Sequence, residues 1–155
     1  MIVKTGACQC GKIKYKMEGG LAGKAATPLY QTVCYCKNCR RGTGTAFLAA
    51  SILPKEGFSI TQGEESLQLW LDETTQSGKP LTRSFCCICG SKLFAWTPLR
   101  DDIVSVAAGT LDDFINWQPS KEQFCIDRPI FMDKIKGVDS NERHVTNVQS
   151  EAEQV

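Results

Sequence analysis

Cys34-Tyr35-Cys36-Lys37-Asn38-Cys39 places three thiols within six residues of a chain that has one histidine. Two further thiol groups flank it, Cys8-Gln9-Cys10-Gly11 near the start and Cys86-Cys87-Ile88-Cys89-Gly90 past the middle, so eight of the nine cysteines fall in three tight groups. Two cysteines one or two residues apart can both bind a tetrahedral ion at zinc–sulfur distances of about 2.3 Å, and a glycine just after the second lets the backbone turn back over the metal. Cys10-Gly11 and Cys89-Gly90 both have that glycine. The three groups therefore read as the staples of a small metal-bound domain.

The outer groups each offer a natural pair and the central one offers three ligands. This division predicts a closed four-thiolate structural zinc on Cys8, Cys10, Cys86 and Cys89, clamping the N-terminus to a distant hairpin. It also predicts a second zinc on Cys34, Cys36 and Cys39, with the fourth position open in the manner of catalytic zinc. The residues alone leave two other readings of the triad. Cys125, or less readily Cys87 inside the knuckle turn, could close a second structural site, or the thiols could stay reduced without metal. Iron–sulfur ligation fits these spacings poorly.

At 155 residues the chain is expected to form one domain over 1–136, followed by a polar, mobile tail over 137–155. Hydrophobic content of 42%, charge of 23% and a formal net charge of +1 give no bulk bias towards nucleic acid or an acidic membrane. Seven thiolates on two dications would bring the net charge to about −2, which disfavours a polyanion partner further. Met1 to Gly6 carries no apolar signal region, and no apolar run approaches the roughly 18 residues of a membrane span. With an odd cysteine count in C-x-C and C-x-x-C spacings, reduced thiols on metal are favoured over disulfides, so the expectation is a soluble cytoplasmic, or nuclear, protein.

Between the thiol groups the pattern is that of short strands. Ile13–Met17, Phe58–Thr61 and Leu67–Leu71 alternate apolar and polar side chains, with Ser66 and Gln68 expected to face out. Leu29–Val33 is a short strand delivering Cys34, and Ala46–Ala50 a buried strand beneath the site. Leu81–Phe85 returns as a hairpin arm, and Leu93–Trp96 and Ile103–Ala108 follow. Glu18–Pro28 and Thr74–Pro80 read as loops and Arg40–Thr45 as a glycine-rich turn. A helix is predicted only over Thr110–Gln118, and a last strand over Phe124–Ile126.

Of the polar residues, His144 reads as solvated in the tail. Arg40, Arg41 and Lys37 could hold the carboxylates of an acidic substrate beside the triad, although paired loop arginines are commonly just a solvated edge. Phe47, Trp70, Phe94 and Trp96 lie on strand patterns and are expected in the core.

Taken in order, Gly6-x-Cys8-x-Cys10-Gly11, Cys34-x-Cys36-x-x-Cys39-Arg40-Arg41-x-x-Gly44, Arg83-x-Phe85-Cys86-x-x-Cys89-Gly90-Ser91 and Ala108-Gly109-Thr110-Leu111-Asp112 resemble the glutathione-dependent formaldehyde-activating enzyme family, which includes a centromere-associated branch. The resemblance spans roughly Thr5 to Arg128. It implies a mainly β fold of small twisted antiparallel sheets in a tent-like arrangement with little helix, a structural zinc on Cys8, Cys10, Cys86 and Cys89, and a more labile zinc on Cys34, Cys36 and Cys39. It further implies carbon–sulfur lyase chemistry on S-(hydroxymethyl)glutathione, with glutathione as the thiol partner. Family members commonly carry histidine between the first two triad cysteines, where this chain has Tyr35.

Three thiolates donate charge and leave zinc a weak Lewis acid, so binding and activation of a substrate thiol suits the triad better than hydrolysis. The competing reading is a non-catalytic zinc-stabilised interaction domain, with both metal sites structural.

Overall fold

The computed structural model describes residues 3–18 and 28–142. Most of the loop expected over Glu18–Pro28, and the tail from 143 with His144, lie outside the described residues. The strands are β1 Val3–Ala7, β2 Lys14–Glu18, β3 Tyr30–Cys34, β4 Leu48–Pro54, β5 Phe58–Gln62, β6 Leu67–Asp72, β7 Leu81–Cys86, β8 Lys92–Thr97, β9 Arg100–Ala107, β10 Lys121–Gln123 and β11 Asp139–Ser140; α1 spans Lys37–Thr43. They form two open sheets, a three-stranded one in the order β1-β2-β5 and an eight-stranded one in the order β11-β10-β3-β4-β9-β8-β7-β6.

The mainly β architecture and the strands centred on the alternating runs are as the sequence implies. One sheet is larger than expected, and it is mixed, because β10 runs parallel to both β3 and β11. Between the two sheets lies the main core, where Ile13 and, from β2, Tyr15 and Met17 meet Leu53, Phe94, Val104 and Val106 of β4, β8 and β9. Tyr15 and Phe58 each set a ring edge-on or tilted against a neighbour, with Phe94 at 5.0 and 4.9 Å from their centroids.

Register carries the site on the other face of the large sheet. Paired residues of adjacent strands share a face and successive residues alternate. Trp70 pairs with Arg83, Arg83 with Ala95, Ala95 with Ser105 and Ser105 with Ile52. Cys34 pairs with Leu48 and with Gln123, two residues along from the Thr32–Ala50 pair. This face therefore presents Trp70, Arg83, Ala50, Cys34 and Gln123 together, while Phe94, Val104 and Val106 point into the main core.

Several expectations are corrected. The α-helix lies at Lys37–Thr43, over much of the segment read as a glycine-rich turn; only Cys39 is buried on it, so it has no apolar stripe to announce it. Its start is capped by a ligand-type side chain, Cys36 Sγ accepting from the Cys39 N–H at 3.3 Å. Thr110–Gln118 is instead two separate 3₁₀ turns, Ala108–Thr110 and Phe114–Asn116, with Leu111 between them held to Gly6 by a β-bridge.

Phe124–Ile126 is not a strand. Phe124 takes a left-handed conformation at φ 55° and Cys125–Asp127 coil into a 3₁₀ turn, the strand having ended at Gln123. β1 went unread, its three central residues lacking any alternation of apolar side chains. Ser66 is buried, and its carbonyl accepts from Cys87 N–H at 2.9 Å. Trp70 is 53% exposed on the edge strand β6, beside the exposed Leu69 and Leu71, rather than in the core; Phe94 is buried, and Phe47 and Trp96 are half-buried. Residues 139–140 of the polar tail join the large sheet as β11.

Candidate metal centre and adjoining cavity

The first thiol group is built by two turns that face each other. After Cys8, Gly11 at φ 72° turns the chain so that Gly11 N–H reaches Cys8 O and Ile13 N–H reaches Cys8 Sγ at 3.2 Å. After Cys86, Gly90 at φ 72° does the same, its N–H reaching Cys86 O at 2.8 Å. The Cys8, Cys10, Cys86 and Cys89 thiols consequently lie within 4.8 Å of one another, with Cys8 to Cys10 at 3.5 Å and Cys10 to Cys86 at 3.8 Å. Sulfurs about 2.3 Å from a common tetrahedral centre sit about 3.8 Å apart, so this donor set fits one zinc ion. The Ser91 hydroxyl and backbone hold the Cys89 thiol down at about 5, which favours the thiolate form a metal needs.

The second group sits where β3 ends and α1 begins. Cys34, Cys36 and Cys39 are all buried and their thiols lie within 4.8 Å of one another. Leu48, Ala50, Ala107 and Phe124 pack around them, so the strand expected beneath the site is indeed its floor. Hydrogen bonds from the Cys34 and Cys39 thiols hold Cys36 down at about 3, against its burial and with help from the Cys39 N–H and Arg83, whereas the same sharing pushes the Cys34 thiol up. Three thiols in contact cannot all ionise without a cation among them, and the set fits a metal that favours sulfur. Neither Cys125 nor Cys87 belongs to this group; Cys87 is exposed and Cys125 sits in the 3₁₀ turn after Phe124.

A network of side chains to which the sequence reading gave no role backs the triad. Arg83 is buried, pairs with Asp72 at 2.8 Å, and is held charged by that carboxylate and by the nearby Cys39 thiol. Asp72 also accepts from Asn38 of α1 at 3.0 and 3.1 Å and from the Thr74 N–H and hydroxyl. Lys92 donates to Phe94 O at 3.0 Å, and its burial together with the nearby Arg83 pushes its ammonium down to about 8. Arg83 stood in the quoted motif, and Asp72 is the lone acid closing an apolar strand; those were the available signals.

On the outer side of α1 a cavity of about 410 Å³ is lined by Lys37, Asn38, Arg41, Gly42, Trp70, Asp72 and Thr74. Its lining contains no cysteine, but includes Asp72, the buried partner of Arg83. Arg41 is exposed there, while the half-buried Arg40 does not line the cavity and its Nε donates to Tyr35 O at 2.9 Å. Tyr35 itself is fully buried and turned away from the thiols, its hydroxyl donating to Glu122 Oε1 at 2.7 Å and its ring lying under Arg128. Among the described residues no helix is long and apolar enough to cross a membrane.

A solved structure of a Rhodobacter sphaeroides protein is similar to this chain at 20% identity, covering 70% of this chain and 88% of its own, with a TM-score of 0.52, which shows a shared fold. No curated protein matches. The family model of the glutathione-dependent formaldehyde-activating enzyme matches residues 3–127, including all three thiol groups, and the chain belongs to that family.

Proposed function

We propose that this chain is a zinc-dependent carbon–sulfur lyase acting on a thiol–aldehyde adduct such as S-(hydroxymethyl)glutathione. Cys34, Cys36 and Cys39 hold the reactive ion, and Cys8, Cys10, Cys86 and Cys89 hold a structural one. The observation that carries the reading is the convergence of three buried thiols with no fourth cysteine, histidine or carboxylate in their group among the described residues. A zinc ion bound there supplies a coordination position that accepts a thiol sulfur and lowers its pKa, so that thiolate forms near neutral pH.

The chain's own residues do the rest. Arg83 offsets thiolate charge at Cys39, and Asp72 fixes the guanidinium in place. Lys37 and Arg41 meet the carboxylates of the thiol in the outer cavity, against the face of Trp70. In the synthetic direction a sulfur electron pair forms the carbon–sulfur bond to the aldehyde carbon, the carbonyl pair moves to oxygen, and that oxygen takes a proton from water. The lyase direction reverses each step. Tyr35 supplies no base, since its hydroxyl is committed to Glu122. Reduced thiols are required throughout, as the cytoplasm provides.

Metal analysis and calorimetry with glutathione test the proposal together. The expected result is two zinc ions in the parent and in Cys125→Ser, and one zinc with loss of glutathione binding in Cys36→Ser. Loss of a zinc on removing Cys125, or equal binding by the Cys36→Ser variant, would leave the triad structural and favour an interaction domain.

A further inference from the structure

Gln123 is 5% exposed, and its Nε2 is buried with no hydrogen-bond partner among the described residues. Such a donor forfeits its hydration without replacement and calls for an acceptor the protein does not itself provide. Register says where that acceptor lies. Gln123 is the direct partner of Cys34 in the parallel β3–β10 pair, so the two side chains share a face. The neighbouring pair, Glu122 with Val33, occupies the opposite face, and the Tyr35 hydroxyl bonds to Glu122 on that side. Around the thiols pack the apolar Leu48, Ala50, Ala107 and Phe124, with buried Thr32 two residues before Cys34 on the same face. The amide thus shares the sheet face of Cys34, where no described residue supplies its Nε2 with an acceptor.

We infer that the Gln123 amide is a substrate contact, donating a hydrogen bond to the oxygen of the hydroxymethyl group, or of the aldehyde that becomes it, when the sulfur is held by the triad. The inference rests on the open-site reading above and deepens it, because it assigns the recognition of the electrophile rather than of the thiol. In the addition step the carbon–sulfur bond forms and the carbonyl pair passes to the oxygen that Gln123 faces; a proton from water completes the hydroxyl. The amide proton is not transferred. It stabilises the oxygen as charge develops on it.

Two probes separate this from the parent hypothesis: glutathione alone, and glutathione equilibrated with formaldehyde, each titrated calorimetrically into the zinc-loaded full chain. Gln123→Met keeps the side-chain length and removes the donor, and its zinc content confirms that both sites survive. The expected result is unchanged affinity for glutathione and a loss of roughly 5- to 20-fold for the adduct. Should Gln123→Met fail to fold, Gln123→Asn retains an amide but withdraws it by one methylene, and the same selective loss is expected. If the parent binds neither probe, the open-site reading falls and the inference with it. If the parent binds both and the variants weaken both equally, or neither, the inference is overturned while the open site stands, with the amide bonded to a buried water.

Discussion

Arg83 Nη2 lies 2.8 Å from Asp72 Oδ2 across the β6–β7 pair, with the two side chains 6% and 0% exposed. This ion pair has a job beyond joining two strands, because the Arg83 charge acts on the Cys39 thiol and Asp72 holds Asn38 of α1. Arg83→Met leaves a buried carboxylate without its cation, which is expected to destabilise the fold by about 3–5 kcal/mol. Urea denaturation at neutral pH measures it. The double variant Arg83→Met, Asp72→Leu should recover most of that stability, yet still release the second zinc more readily to a chelator. Recovery of zinc retention along with stability would show that the pair does nothing for the triad.

The same carboxylate sets an acid limit. Burial raises the Asp72 pKa, but hydrogen bonds from Asn38, Thr74 and Arg83 override it and hold the group at about 2. The unfolded value is about 3.9, so the folded value is depressed, and the resulting stability is present above about pH 4 and lost as pH falls towards 2. A contribution of roughly 2–3 kcal/mol is at stake. Acid also strips zinc from thiolates, so the readout is the difference between the parent and Asp72→Asn. The parent's stability should fall more steeply than the variant's between pH 4 and pH 2. Parallel curves would contradict the assignment.

What could be read from the residues is uneven for physical reasons. Alternation in Ile13–Met17 and Phe58–Thr61 marks β2 and β5, since Tyr15 and Met17 of β2 are buried and Phe58 and Ile60 of β5 pack half-buried against the same core. The thiol spacings marked both metal groups because chelation imposes short, fixed separations. α1 was illegible, having a single buried residue and a thiol as its cap. Trp70 misled because an apolar run on an edge strand looks the same as one in the interior, and only the strand order tells them apart. The roles of Arg83, Asp72 and Gln123 depend on register between segments far apart in the chain, which no local pattern carries.

The outer cavity yields a prediction that separates anchoring from chemistry. Arg41 and Lys37 are cations that line the cavity with the exposed Trp70, and no cysteine lines it. Arg41→Ala should weaken glutathione by roughly 3- to 10-fold, an exposed charge contact being worth about 1 kcal/mol, and leave 2-mercaptoethanol, which has no carboxylate, unaffected. Trp70→Ala should act in the same direction. Competition titrations with the two thiols decide it, and an equal loss for both would move the carboxylate site away from this cavity.

Tyr35 stands where family members commonly carry histidine, and its surroundings show what it does here. It is fully buried, and burial first, then the bond to Glu122, pushes its hydroxyl up to about 12. Glu122 is itself enclosed, receiving the Tyr35 hydroxyl at 2.7 Å, the Ser140 hydroxyl at 2.9 Å and the Ile135 N–H at 3.3 Å, with Arg128 at 3.3 Å. The cluster ties the end of β3 to β10 and to the segment that returns as β11. Tyr35→Phe removes one donor from a buried carboxylate and should cost about 1–3 kcal/mol, measured by urea denaturation. Because the hydroxyl points to the face away from the thiols, glutathione affinity and zinc content should stay within twofold of the parent, and the pH profile of adduct formation should not move. A shifted profile at unchanged stability would instead place the Tyr35 hydroxyl in the chemistry.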